Sequence, residues 1–247
     1  MRPPMFSREP LRGYGWVIFA ACCALALPAR VSAQSARAFV RDPNRTFHTY
    51  VWSYKELQER QIVMQQQDYS CGAAVLATVI RYYWGDDIDE AYFLDLLPKL
   101  GRTEAEMKDR IENGLTLTDL RDLAQKAKYE ATMGKVQFNE LAESRVPVIV
   151  GITVKKHDHF AVFRGTDWQY AYLADPIRGN IRTPIPDFLK QWQGNAILVI
   201  AKPNTKVKAI NPMGVRIEEI ERGLLNDQTV HRNALIPPVP NPVRLGP

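Results

Sequence analysis

Fourteen consecutive residues, Cys71 to Trp84 (CGAAVLATVIRYYW), carry a single charge, at Arg81. Small and apolar side chains surround this stretch on most sides. A helix of that kind must be buried on most sides, so it belongs at the centre of a core. Gly85 supplies the stop, because a glycine past the last turn accepts the left-handed backbone that ends helices. The rest of the chain has to be arranged around this one element.

Around it the pattern is helical first and extended later. Ser53-Tyr54-Lys55-Glu56 matches a capping box and opens a short helix to about Gln61. Ile62-Val63-Met64 is a short apolar run with strand character. Further helices are predicted over Ile88–Leu97, weakly over 104–112, and over Thr118–Lys128. Then the period changes. Val146–Val154 (VPVIVGITV) is β-branched and apolar, as a buried strand requires. His159–Gly165 and Trp168–Asp175 read as two strands around a turn at Thr166-Asp167, Pro186–Trp192 as a short helix, and Asn195–Ala201 as a closing strand. Helices followed by strands predict an α+β fold with helices packed on an antiparallel sheet. Past Pro203, Met213–Asn226 predicts one more amphipathic helix. The five prolines from Pro237 to Pro247 then read as an extended tail.

The N-terminal 33 residues read as a targeting segment. Arg2, Arg8 and Arg12 precede a 12-residue apolar run, Trp16–Leu27, and Val31-Ser32-Ala33 is a small-residue exit. Basic head, short apolar middle and A-x-A-like end make the secretory signal pattern. Twelve residues are too few for a membrane-spanning helix, which needs about 20. An uncleaved anchor and a lipoprotein at Cys22 are the weaker alternatives. The expected organisation is a signal peptide over 1–33, a flexible lead-in over 34–50, one domain over 51–202 and a C-terminal extension over 203–247. The expected location is the periplasm.

Processing after Ala33 leaves 28 basic against 26 acidic residues, a net charge of +2. That is too little for a nucleic-acid footprint. The composition, 46% hydrophobic and 24% charged, is that of an ordinary globular protein and excludes disordered, collagenous and coiled-coil chains. Cys22 and Cys23 leave with the signal, so Cys71 is the one remaining thiol. It has no internal partner for a disulfide and is either a buried apolar residue or a reactive one.

Its position favours reactivity. Cys71 opens the apolar helix, where unpaired backbone N–H groups and the helix dipole stabilise a negative sulfur. Gly72 and Ala73 are small enough to let a substrate backbone approach. A thiol nucleophile also needs an imidazole and a group to orient it. His159 begins a strand, with His157 a rival two residues earlier. Asp175 ends the next strand, 16 residues on, where it can accept from the imidazole or simply open an Asp-Pro turn. Gln65, six residues before Cys71, can donate to a developing oxyanion, and spacing alone does not choose between it and its neighbours Gln66 and Gln67. A zinc site built from Cys71, His157 and His159 is the less favoured metal alternative.

The segments QQQDYSCGAAVLATVIRYYWG, HDHFAVFRG and YLADPIRGN resemble the bacteriocin-leader cysteine peptidases, the thirty-ninth cysteine-peptidase family, across roughly Val51–Lys202. The Cys-Gly-Ala-Ala and Ala-Asp-Pro-x-x-Gly-Asn blocks carry the resemblance. It implies a papain-like α+β fold, with Cys71 as nucleophile, His159 as general base, Asp175 as the orienting residue and Gln65 at the oxyanion hole. It implies no metal or organic cofactor, and a peptide or protein substrate. The chain departs from the transporter-borne members in two ways. No G-x-x-x-x-G-K-[ST] occurs, so no ATP site is expected, and Ser70 stands where many members have Asp. The double-glycine specificity of those members is therefore not carried over. Size, signal and single thiol are similar to the exported peptidase-like component of bacterial functional-amyloid secretion systems, which implies a secreted amyloid subunit or a secretion component as partner. The competing expectation is a peptide-binding accessory module that holds an extended segment without cutting it.

Overall fold

The computed structural model describes residues 37–42, 45–50, 53–217 and 219–220. The chain divides into two units at Val51/Trp52. In the first, β1 (Arg37–Asp42) and β2 (Arg45–Tyr50) pair as an antiparallel hairpin, with Arg37 opposite Tyr50 and Asp42 opposite Arg45. Residues 37–42 and 45–50 of the expected lead-in over 34–50 thus form a hairpin. The β-branched and aromatic residues in RAFVRD and RTFHTY are the signal that reading passed over. The signal segment 1–33 and the Pro-rich tail lie outside the described residues.

The second unit begins with α1 (Tyr54–Gln58), opened by the Ser53/Glu56 capping box. Ile62–Met64 is not a strand: it runs as an irregular segment into α2 (Cys71–Val79). All nine residues of α2 are buried, as its composition demands. It continues as a π-helical turn, Ile80–Trp84, and stops at Gly85, whose φ is +89°. There follow α3 (Glu90–Leu96), α4 (Glu104–Asn113) and α5 (Leu117–Lys126). The last two are opened by the Thr103/Glu106 and Thr116/Asp119 capping boxes.

The remaining elements are β3 (Glu130–Lys135), α6 (Phe138–Ala142), β4 (Val148–Val154), β5 (His157–Thr166), β6 (Tyr170–Asp175), β7 (Gly179–Pro184), α7 (Ile185–Gln191) and β8 (Trp192–Ala201). Six strands form one antiparallel sheet in the order β3-β8-β4-β5-β6-β7. This is the α+β architecture expected. Neither edge strand was anticipated: β3 shows exposed and half-buried residues only, and β7 is mostly half-buried, so neither carries an apolar run. The β4–β5 turn is Lys155-Lys156, both at positive φ, so β5 starts at His157, earlier than expected.

Period-2 alternation divides the sheet between two cores. Ile149, Val162, Ala174 and Leu198 pack with α2, α3 and α5. Val148, Val150, Ala161 and Phe163 pack with Phe188 and Trp192 of the α7 region on the other face. Past β8, the chain returns over the sheet, and helix resumes at Ile217, later than the expected Met213 start.

Candidate active site

Cys71 is the first residue of α2. Ser70 gives that helix no side-chain cap. Its hydroxyl instead donates to the Gln67 carbonyl at 2.7 Å and accepts from the Gln67 N–H at 3.2 Å. The N–H groups of the first turn are therefore left uncapped by Ser70 at the sulfur end of the helix. Gly72 has a different purpose from the one expected. A Cβ there would lie 2.6 Å from Leu120 Cδ1, so its smallness seats α2 against α5 rather than admitting a substrate. Ala73 is fully buried as well.

Cys71 is 7% exposed, and what is exposed lines an open cleft of about 300 Å³. One wall is the α4–α5 connection, Asn113 to Leu117. The other is built from Gly151 on β4, Phe160 on β5, and Gln193 and Ala196 on β8. Gly114 takes φ +85°, which a side-chain-bearing residue rarely adopts. At Gly151 a Cβ would come 2.7 Å from Gln193 Oε1, the movable end of that side chain.

His159 lines the same cleft, on β5 opposite Ile152 of β4, and is 8% exposed. Its ring interacts with the Cys71 side chain, which favours the protonated ring, and its Nε2–H donates to Asp175 Oδ1 at 3.0 Å. With Nε2 so engaged, Nδ1 is the nitrogen left for the thiol. The β5–β6 register, Val162 opposite Ala174, is what carries Asp175 up to the His159 end of the strand.

Asp175 is wholly buried. Oδ1 also accepts from the Ile177 N–H at 2.8 Å and the Arg178 N–H at 3.0 Å, and Oδ2 accepts from Arg178 Nε at 2.7 Å. One carboxylate thus accepts both from the Asp-Pro turn N–H groups and from the imidazole.

Burial disfavours the charged His159 ring. The hydrogen bonds to Asp175 and Cys71 and their charges outweigh it, and the pKa is raised to about 9. For Asp175, burial again opposes charge, but the hydrogen bond and charge of His159, with the Arg178 N–H and guanidinium, bring it down to about 2. Thiol, imidazole and carboxylate thus form a line along which a proton can pass from sulfur to ring while the carboxylate stays charged.

Gln65 is held differently. Its backbone N–H donates to the Pro176 carbonyl at 2.9 Å, tying the segment before Cys71 to the Asp175 turn. Its side-chain Nε2 donates to the Gln67 carbonyl at 3.1 Å, and its Oε1 is buried without a hydrogen-bond partner. Gln66 and Gln67 are exposed. His157 is exposed and paired with Val154 on the turn side of β5, and among the described residues no three metal-ligating side chains cluster. Arg178 and the Asn113–Leu117 wall were not anticipated. The Asp-Pro-Ile-Arg spacing and the Thr116-x-x-Asp119 capping box were the available signals.

Residues 59–204 match the Peptidase C39 family. The chain is 28% identical over 161 residues to a probable functional amyloid protease FapD of Pseudomonas fluorescens, covering 65% of this chain and 69% of that one. It is 27% identical over 157 residues to the protein of the same description in Pseudomonas aeruginosa, covering 62% and 66%. The chain thus spans about two thirds of the length of these relatives. It is also 25% identical over 152 residues to the lactococcin-G-processing and transport ATP-binding protein LagD of Lactococcus lactis, covering 60% of this chain and 20% of that one.

Proposed function

The chain belongs to the Peptidase C39 family and is a cysteine peptidase, and from that premise we propose that it is an exported endopeptidase working through Cys71, His159 and Asp175. The observation that carries this reading is that Cys71 and His159 line one cleft, with the His159 ring hydrogen-bonded to the buried Asp175 carboxylate. Proton transfer from sulfur to Nδ1 yields a thiolate and an imidazolium. The thiolate attacks the scissile carbonyl carbon, and the tetrahedral oxyanion forms at the N-terminus of α2, where first-turn N–H groups and the helix dipole face developing negative charge. The imidazolium protonates the leaving amine as the C–N bond breaks. His159 then takes a proton from water, which attacks the thioester and frees Cys71.

Gln65 is the side chain assigned from sequence to the oxyanion. Since its Nε2 donates to the Gln67 carbonyl, the α2 N–H groups come first in this scheme, and Gln65 joins them only by exchanging that bond. The substrate proposed is a component of a functional-amyloid secretion system, and the site of action the periplasm. The first rests on the two FapD relatives, the second on the signal pattern of residues 1–33.

The test uses purified protein from Gln34 onward, incubated with functional-amyloid subunits and secretion components of its own organism. Defined fragments are expected with the native chain and none with Cys71→Ala, a loss of at least about 1,000-fold. If a Cys71→Ala strain still matures and exports its fibres normally, the proteolytic role is overturned and a peptide-holding one takes its place.

A further inference from the structure

Asp175 is held from two sides, and one of them has no part in the proton path just described. Oδ1 faces His159, while Oδ2 faces Arg178. The Arg178 side chain reaches back three residues, with Nε and a terminal nitrogen both 2.7 Å from Oδ2. The turn that carries it is pinned at both ends. The Gln58 side-chain amide donates to the Arg178 carbonyl at 2.5 Å, and the Gln65 N–H donates to the neighbouring Pro176 carbonyl at 2.9 Å. Gly179 closes the turn at φ +80°, where a Cβ would stand 2.5 Å from the Gln58 carbonyl oxygen. A turn fixed this firmly presents its arginine to one oxygen of one carboxylate.

We propose that Arg178 is a positioning residue of the site: by occupying Oδ2 it shares the Asp175 carboxylate with His159, which limits how tightly that carboxylate holds the imidazolium and lets the ring release its proton to the leaving amine. The proposal rests on the peptidase reading of Cys71 and His159. The physical ground is that a carboxylate compensated by a guanidinium is a weaker partner for a second cation than a free one. The groups facing the ring are Asp175 from the end of β6 and Cys71 from α2, and those facing the carboxylate are His159 from β5 and Arg178 from its own turn. Removing the Arg178 guanidinium leaves His159 as the one cationic partner of Asp175 among the described residues, so the ring holds its proton to higher pH and acylation slows. A surface ion pair with no other purpose would cost little stability and leave the pH profile unmoved.

The test follows alkylation of Cys71 by iodoacetamide and cleavage of a peptide substrate, both against pH, in the native chain, Arg178→Met and Arg178→Lys. In Arg178→Met the alkaline limb of both profiles is expected to move up by about half a pH unit or more, with kcat falling more than KM changes. Arg178→Lys, which keeps the charge, is expected to restore the limb. A limb that stays in place or moves down in Arg178→Met, whatever happens to Tm, overturns the proposal. His159→Ala separates this from failure of the peptidase reading. If the native alkylation profile is the same with and without His159, the Cys–His pair itself is wrong. If the profile depends on His159 but ignores Arg178, only the present inference falls.

Discussion

His159 shows how opposing effects at one side chain set a working range. Burial alone would push its pKa below the usual 6.5, yet Asp175 and Cys71 raise it to about 9. Because the folded value lies above the unfolded one, the protonated ring stabilises the fold fully below pH 6.5 and that contribution is lost as pH rises through about 9. Asp175 is the reverse case: held at about 2, its contribution is present above the ordinary carboxylate range and lost as pH falls through about 2. Activity should therefore fade on the alkaline side as the ring loses its proton near pH 9. Asp175→Asn removes the hydrogen bond and charge that lift the ring. Its alkaline limb is expected to move down toward 6.5, and kcat to drop at least about 100-fold. A kcat/KM profile for the variant checks this, and a limb still near 9 would show that Asp175 does not set the ring's proton affinity.

At the scale of elements, two glycines fix where the chemistry sits. Gly72 lets α2 lie against Leu115 and Leu120, which sets the height of Cys71 relative to the sheet. Gly179 lets the Asp175 turn lie against α1. Gly179→Ala meets two obstacles: a left-handed backbone unfavourable for alanine, and a clash with main chain rather than with a movable side chain. The expected result is a loss of at least about 2 kcal/mol in stability and a larger fractional loss in kcat, since the turn can be relieved only by moving Asp175 away from His159. Urea denaturation and peptide cleavage measure the two. Ordinary stability with ordinary kcat would show that the turn tolerates displacement. The Ser53/Glu56 capping box was read from sequence because it is local; the Thr116/Asp119 box is as local but was passed over, and the helix it opens was expected to start at Thr118. The edge strands β3 and β7 were not read, because their pairing depends on β8 and β6 being in place to receive them.

Across the whole second unit, a buried arginine ties the segment after β8 to the sheet. Arg164 on β5 is 5% exposed. It donates to the Met213 carbonyl at 2.7 Å, the Gly214 carbonyl at 3.1 Å, Asn180 Oδ1 at 2.5 Å and both Glu219 oxygens at 2.8 Å. Asn180 in turn donates to the Leu57 and Arg60 carbonyls, so α1, β5, β7 and the C-terminal segment meet at one guanidinium. Arg164→Met leaves the Glu219 carboxylate with Arg216 as its remaining cationic partner among the described residues and should cost roughly 1–3 kcal/mol. Glu219→Gln in the same chain is expected to recover part of it. Hydrogen exchange at residues 211–217 should quicken in Arg164→Met while α2 stays protected. Unchanged exchange there would mean that the segment is held by its apolar contacts, Met213 and Val215, without the arginine.

Sequence alone determined the elements whose signal is local: the apolar central helix and its glycine stop, the Ser53/Glu56 capping box, the β-branched strands, and the α+β order they imply. It also put a thiol at a helix start and an aspartate at a strand end, because residue type and position within an element are written in the chain. Only the tertiary structure decided which histidine meets the thiol, since His157 and His159 differ in sequence by two places but in the fold by burial and by what they face. It also decided that Arg178 shares the Asp175 carboxylate, that Gly72 serves packing, and that the cleft's second wall comes from the α4–α5 connection. Apart from the Arg178–Asp175 pair, which is three residues apart, those are contacts between segments far apart in the chain, fixed by sheet register and helix packing rather than by any local pattern.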